Sequence, residues 1–346
     1  MKVGFRTIHL HKRFPLTISR GTQAGSDNLF VSLTADGITG WGELSPGRAE
    51  GADTAAQARS ALEDFCRPGF EILSVTQLYD RAREQGVPAC AMAGLDMALW
   101  DWLGKKANLP LYRLLGLGRP TVPTSVTIGI NPPEVVKRRV PLLLQGTGIK
   151  CLKIKLGSPD GVEADQAMYA QVVESTRSHD VKLRVDANGG WNADEAISMM
   201  KWLAAKGADY VEQPLKEGEE SELPKIFKAR PLPIYVDESC RDSGNIPGWA
   251  DCVDGVNLKL MKCGGITEAL RIIAVARAHN LKTMIGCMGE SSMSISAGAA
   301  ITGLLDQVDL DSHLNLSPDP CTGARLVDGI VMPNELPGHG ARIIEN

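Results

Sequence analysis

Asp186, Glu212 and Asp237 each close an apolar run, and they recur at intervals of 26 and 25 residues. Lysines flank them on both sides, in Lys153-Ile154-Lys155 upstream and in Val256-Asn257-Leu258-Lys259 downstream. Any one of these carboxylates, taken alone, reads as a helix cap or a solvated loop residue. Three in phase point to a shared task. Hard oxygen donors suit Mg²⁺, which accepts few protein ligands and keeps positions open for substrate oxygens. Lys153 and Lys155 are two apart, so on a strand both side chains leave the same face, while Leu152, Ile154 and Leu156 make the other face apolar. Two ammonium groups forced together, with a cation nearby, are expected to depress each other's pKa, so that one can serve as a neutral base. If Lys259 stands across a ring from Lys155, one amine can remove a proton from a carbon while the other returns one to the opposite face. A metal ion on the carboxylate oxygens would stabilise the enediolate that develops. Lys262 reads as a solvated or helix-entry charge.

The elements that must position these groups follow from the rhythm of the chain. Short β-rich runs end at Thr127, Lys155, Asp186, Glu212, Asp237, Lys259, Gly286 and around Asp309, with gaps of 22 to 31 residues. Helix-compatible segments such as Ala193 to Lys206 and Thr267 to His279 fill most gaps. Eight strand signals make one α/β barrel, and such barrels carry their chemistry at strand C-termini. The chain before Gly118 lacks this rhythm. Leu29 to Leu33 and Gly37 to Gly42 predict a hairpin turning at Ala35-Asp36-Gly37. Ala52 to Phe65, with Asp53 and Thr54 as caps, predicts a helix. Pro88 to Lys106 predicts another, with Ala91, Leu95, Ala98, Leu99 and Leu103 as its apolar stripe and Trp100 and Trp102 packed against that stripe or the neighbouring domain. Hairpin followed by helices gives an α+β domain. Residues 1–118 are therefore read as an N-terminal capping domain, Leu114 to Pro120 as its exit linker, 119–322 as the barrel, and the Gly- and Pro-rich 323–346 as a tail packed back on the cap.

At 346 residues the chain exceeds what one core usually supports, which agrees with two domains. A net charge of −4 argues against a nucleic-acid footprint. The eight cysteines are scattered without a Cys-x-x-Cys pair, which suits buried thiols in a reducing compartment better than disulfides or zinc. Met1 to Arg20 has no uninterrupted apolar core, and Ile285 to Leu305 is broken by Glu290 and several serines. The expectation is a soluble, cytoplasmic protein with neither nucleic-acid nor membrane partners. His9, His11, His179, His279, His313 and His339 show no ligand spacing and read as surface or core filler.

Taken together, Lys-x-Lys, Asp-Ala-Asn at 186–188, Glu-Gln-Pro at 212–214, Asp-Glu-Ser at 237–239 and Asn-Leu-Lys-Leu-Met-Lys-Cys-Gly-Gly at 257–265 resemble the muconate-lactonizing subgroup of the enolase superfamily. The resemblance implies a modified TIM barrel, (β/α)7β, under an α+β capping domain. It also implies Lys155 and Lys259 as acid/base lysines, Lys153 as the group that neutralises a substrate carboxylate, and Asp186, Glu212 and Asp237 as Mg²⁺ ligands. Within that subgroup, Asp309-Leu310-Asp311 and Gly286-Cys287-Met288-Gly289 resemble the pattern of dipeptide epimerases, in which the Asp-x-Asp pair binds the dipeptide's N-terminus. Cys287 and Met288 would then line the substrate, with Cys287 packing rather than attacking, and Thr127 would touch it. Loops near Phe14 to Asp27 and Ser45 to Asp53 would set side-chain preference, with Arg20 a partner for a substrate carboxylate. In Ala-Glu epimerases this segment carries more basic residues, so an alanyl dipeptide with a hydrophobic or other second residue stays equally open. An N-acylamino acid racemase, an o-succinylbenzoate synthase or a cycloisomerase would use the same lysines and metal. Barrels of this type often self-associate, so a homo-oligomer is expected.

Overall fold

The computed structural model describes residues 1–67, 74–146 and 148–345. The N-terminal part begins with a meander of three antiparallel strands, β1 (Lys2–Ile18), β2 (Gly21–Ala35) and β3 (Ile38–Leu44). The β2–β3 hairpin turns on Asp36 and Gly37, both at positive φ (53° and 74°). That is the two-residue turn whose twist matches the flanking strands. Among the described residues there follow the helices α1 (Ala55–Phe65), α2 (Val75–Glu84), α3 (Ala89–Ala107) and α4 (Leu111–Leu114). Thr54 caps α1 in a reciprocal box with Gln57, as its sequence suggests.

β1 is not foreseen from the sequence. Its residues alternate between charged or imidazole side chains and half-buried ones, which weakens the apolar signal of an edge strand. α3 also departs from expectation, because it is buried almost all round rather than along one stripe. It lies between two layers. Gly40 and Gly42 bring the backbone of β3 against one side: an added Cβ would fall 2.0 Å from the Ala98 carbonyl and 2.1 Å from that of Gly94, respectively. On the barrel side, Trp100 Nε1 donates to Thr267 Oγ1 at 3.0 Å.

The barrel strands are β4 (Ser125–Ile128), β5 (Cys151–Lys155), β6 (Lys182–Asp186), β7 (Ala208–Glu212), β8 (Ile234–Val236), β9 (Gly255–Lys259), β10 (Lys282–Gly286) and β11 (Gln307–Val308). They pair in parallel in sequence order, and a parallel bridge between Thr124 and Val308 closes the ring. The crossovers are α5 (Pro133–Leu144), α6 (Val162–Thr176), α7 (Ala193–Ala205), α8 (Leu223–Ala229), α9 (Ile246–Trp249), the pair α10 (Leu260–Cys263) and α11 (Ile266–Ala278), and α12 (Ser292–Ala299). Seven strand–helix units and a final strand make (β/α)7β. Outward residues such as Leu152, Ile154, Val185 and Leu258 are fully buried under these helices. Inward positions near the strand C-termini are polar.

The tail forms short pairs, β12 (Cys321–Thr322) with β15 (Arg342–Ile343) and β13 (Arg325–Val327) with β14 (Ile330–Met332). It touches both parts of the chain: Leu111 N donates to Gly338 O at 2.7 Å, and Thr124 N to Gly329 O at 2.9 Å. Among the described residues, no helix is long and apolar enough to cross a membrane.

Candidate active site

Asp186 and Glu212 end β6 and β7, and Asp237 follows β8 directly. Adjacent parallel strands therefore deliver the three carboxylates to one point at the barrel mouth. Each offers an oxygen within 4.8 Å of the others, and all are buried. Their neighbours hold them in place. Asn188 donates from its backbone N to Asp186 Oδ1 at 2.8 Å, and Asn257 Nδ2 donates to Glu212 Oε1 at 2.7 Å. Gln213 Oε1 accepts from the Asp237 backbone at 2.7 Å. Asn188 and Gln213 both sit at positive φ (45° and 37°), where the chain turns sharply out of the strand.

The lysines converge on the same carboxylates. Lys155 Nζ lies 2.5 Å from Asp186 Oδ2, and Lys259 Nζ 2.7 Å from Asp237 Oδ2. Lys153, 1% exposed, reaches Glu212 Oε2 at 2.7 Å, Asp309 Oδ2 at 2.7 Å and Asp186 Oδ2 at 3.3 Å. In the ring order, three strands separate β5 from β9 in either direction, so Lys155 and Lys259 stand across the mouth from one another.

Two expectations need correction here. Mutual repulsion does not dominate at Lys153. Burial would lower Lys153, but Asp309, Glu212 and Asp186 outweigh it and raise its pKa well above the ordinary value. Lys259 is raised likewise, against burial, by Asp237 and Glu238. Lys262 is not a solvated charge. It is 3% exposed and donates to Asp237 Oδ1 at 2.6 Å, to Asn257 O at 2.7 Å and to the Asp237 carbonyl. Lys262, three residues past Lys259, has folded back beneath the site, and the apolar run around it, Leu260-Met261 and Cys263-Gly264, was the available signal.

The donor set fits a divalent cation. Burial would raise Asp186, but Lys155 and Lys153 bring it down to about 2. Burial and the charge of Asp186 push Glu212 up to about 8. Three buried carboxylates this close repel one another, and a hard cation relieves that repulsion. In addition, among the described residues neither Glu212 Oε2 nor Asp237 Oδ2 accepts a well-directed hydrogen bond despite its nearby ammonium.

A cavity of about 1150 Å³ opens above, between the barrel mouth and the cap. Thr127, Asp309, Asp311, Cys287 and Met288 all line it. Asp309 is drawn to Lys153. Asp311 Oδ2 accepts from Thr127 N at 2.6 Å, and burial together with Asp309 pushes it up to about 6. Cys287 Sγ rests 3.3 Å from Asp309 O, and burial holds it as a thiol. The tip of the β1–β2 hairpin forms the roof. Ser19 Oγ donates to Asn188 O at 2.8 Å, and Arg20 donates to Asn188 O at 2.9 Å and Glu238 Oε1 at 2.6 Å. Arg20 thus reaches the cavity with its guanidinium already engaged by the barrel. Asn315 pins Phe14 by two backbone hydrogen bonds, 3.0 and 2.8 Å.

A (β/α)7β barrel with an acidic triad between opposed lysines, roofed by a sheet-and-helix cap, defines one class of barrel enzymes. Residues 2–116 match the mandelate racemase / muconate lactonizing enzyme N-terminal domain, and residues 136–346 match the enolase C-terminal domain-like family. The chain belongs to this family. It is similar to the hydrophobic dipeptide epimerase of Flavobacteria bacterium strain MS024-2A, with 62% identity covering 100% of this chain and 99% of that protein. The hydrophobic dipeptide epimerase of Roseobacter litoralis is 60% identical over 98% of each. Among solved structures, the dipeptide epimerase of Enterococcus faecalis V583, complexed with Mg and L-Leu-L-Tyr, superposes with a TM-score of 0.91 at 31% identity, covering 98% of both chains.

Proposed function

We propose that this protein is a Mg²⁺-dependent dipeptide epimerase that inverts the α-carbon of the C-terminal residue of an L,L-dipeptide. The observation that carries the reading is the meeting of Asp186, Glu212 and Asp237 at one point between Lys155 and Lys259. Asp186, Glu212 and Asp237 would hold Mg²⁺, which when bound supplies electrostatic stabilisation to the substrate carboxylate as the α-proton leaves. One of the opposed lysines, neutral at that moment, takes the proton and leaves a planar enediolate. The other, protonated, delivers a proton to the opposite face, and the configuration inverts. Lys153, locked among Asp186, Glu212 and Asp309, provides fixed positive charge beside the carboxylate. Asp311 and Asp309 face the end where a dipeptide carries its ammonium group, a need that N-acylated substrates lack. The names of the relatives at 62% and 60% identity support a hydrophobic dipeptide as substrate. Phe14, Leu16 and Ile18 bring apolar surface from the hairpin to the cavity.

A dipeptide library incubated with the enzyme and Mg²⁺ in D₂O, read by mass shift, tests the activity. Lys155→Ala should abolish exchange from one epimer and Lys259→Ala from the other. Normal epimerisation by both single variants would discard the two-base reading.

A further inference from the structure

Of the cavity carboxylates with no part in this chemistry, Glu217 and Glu238 are paired with Arg241 and Arg20, and Glu50 is not. Glu50 ends a short 3-10 turn, Arg48–Glu50, in the cap loop above the mouth, and it lines the cavity. Its charged neighbours are Lys259, Arg241 and Asp237, and both cations are engaged elsewhere. Arg241 is held by the two oxygens of Glu217 at 2.9 and 3.0 Å, and Lys259 by Asp237 at 2.7 Å. Among the described residues Glu50 makes no ion pair, and its own backbone N–H donates to Gly47 O at 3.0 Å. Its position is nevertheless built. Gly47 leaves room for it, since a Cβ there would fall 2.0 Å from Glu50 Oε2. A carboxylate held partly out of water without a partner costs free energy that an incoming donor can offset.

The planar intermediate says which substrate group arrives there. Its two faces are turned to Lys155 and Lys259, its carboxylate to the triad and its amide to the Asp309 and Asp311 side. The third substituent, the side chain of the C-terminal residue, must leave toward the cap. We propose that Glu50 is a specificity-determining residue that reads this side chain, favouring one tipped with a hydrogen-bond donor or positive charge and repelling a carboxylate. The inference rests on the epimerase reading above. A site that offers a half-buried, unpaired acceptor discriminates against the analogue lacking the donor, because the acceptor is then left unpaired.

The test compares L-Ala-L-Tyr, L-Ala-L-Phe, L-Ala-L-Lys and L-Ala-L-Glu by α-proton exchange in D₂O, with wild type, Glu50→Gln and Glu50→Leu, each checked for folding by circular dichroism. Wild type should prefer Tyr over Phe by about tenfold in kcat/KM, and Glu50→Leu should bring that ratio close to one. Glu50→Gln, which keeps an acceptor but loses the charge, should raise the rate on L-Ala-L-Glu about tenfold relative to L-Ala-L-Phe. A Tyr/Phe ratio that is the same in all three proteins overturns the proposal, as does an equal fall on all four dipeptides. Exchange of none of the four by wild type is a different result: it sinks the epimerase reading, and the role of Glu50 with it.

Discussion

Asn188, Gln213, Asn257 and Lys262 hold no reacting atom in the proposed chemistry, yet each fixes a carboxylate that would hold the metal. Asn257 is the plainest case, because it is neutral, fully buried and bonded through Nδ2 to Glu212 Oε1 at 2.7 Å. Groups that orient a metal ligand in this way typically account for about 10- to 100-fold in metal affinity. Asn257→Leu keeps the volume and deletes the donor. It should weaken Mg²⁺ binding by about that factor in a calorimetric titration of the free enzyme, whatever happens to turnover. An unchanged Mg²⁺ affinity would leave Asn257 a packing residue only. The triad and both opposed lysines were legible in the sequence because barrel strands impose a regular interval, and the interval survives in the order of residues. The raised pKa of Lys153 was not legible. It depends on how many carboxylates surround each ammonium, and Lys153 meets one from β6, one from β7 and one beyond β11, each far away in sequence.

At the scale of elements, the barrel strands announced themselves and β1 did not. A parallel strand buried on both faces is a continuous apolar run, whereas β1 is an edge strand with His9, His11 and Arg13 exposed. Its far end is nonetheless a working part, because the β1–β2 tip roofs the cavity and is fastened to the barrel at several places. The segment Ser312–Asn315 after β11 supplies one fastening, through Asn315 and Phe14. Each such hydrogen bond is worth about 1 kcal/mol. Asn315→Ala should therefore speed amide exchange in residues 12–18 by at least about tenfold and raise KM for dipeptides, with strands β5 to β9 unaffected. Uniform loss of protection would mean a general destabilisation instead. The same segment buries His313, whose Nδ1 has no hydrogen-bond partner among the described residues. Burial lowers its pKa from 6.5 to about 4. Between those values the unfolded chain binds a proton that the folded one refuses, so this contribution to stability is complete above pH 6.5 and is lost as pH falls toward 4. The loss approaches about 3 kcal/mol. Denaturant titrations at pH 7 and pH 4 should show wild type losing that much more than His313→Phe, and parallel losses would exclude the imidazole as the cause.

Across the whole molecule, the cap is joined to the barrel by more than apolar contact. Two barrel helices begin without enough donors satisfied by their own residues, and carboxylates from the cap complete them. Gly265 precedes α11 and offers no side chain. Asp96 of α3 accepts from Thr267 N at 3.0 Å and from Thr267 Oγ1 at 2.5 Å. Glu43 of β3 does the same for α12, accepting from Ser291 N and Oγ and from Ser294 N at 2.9, 2.6 and 3.2 Å. Capping is usually local in sequence, and here the partners lie 171 and 248 residues apart, so no reading of neighbouring residues could have found them. Because each cap exists only while both parts are folded and docked, the two should lose structure together, and the apolar core is continuous across the junction as well. Asp96→Ala removes one cross-domain cap and leaves the Thr267 donors buried, which should cost about 2 kcal/mol. If the cap and barrel are one cooperative unit, calorimetry will show a single transition moved to lower temperature. If the endotherm instead splits in two, the junction is only a contact between bodies stable on their own, and the roof over the lysines can then open without disturbing the barrel that carries them.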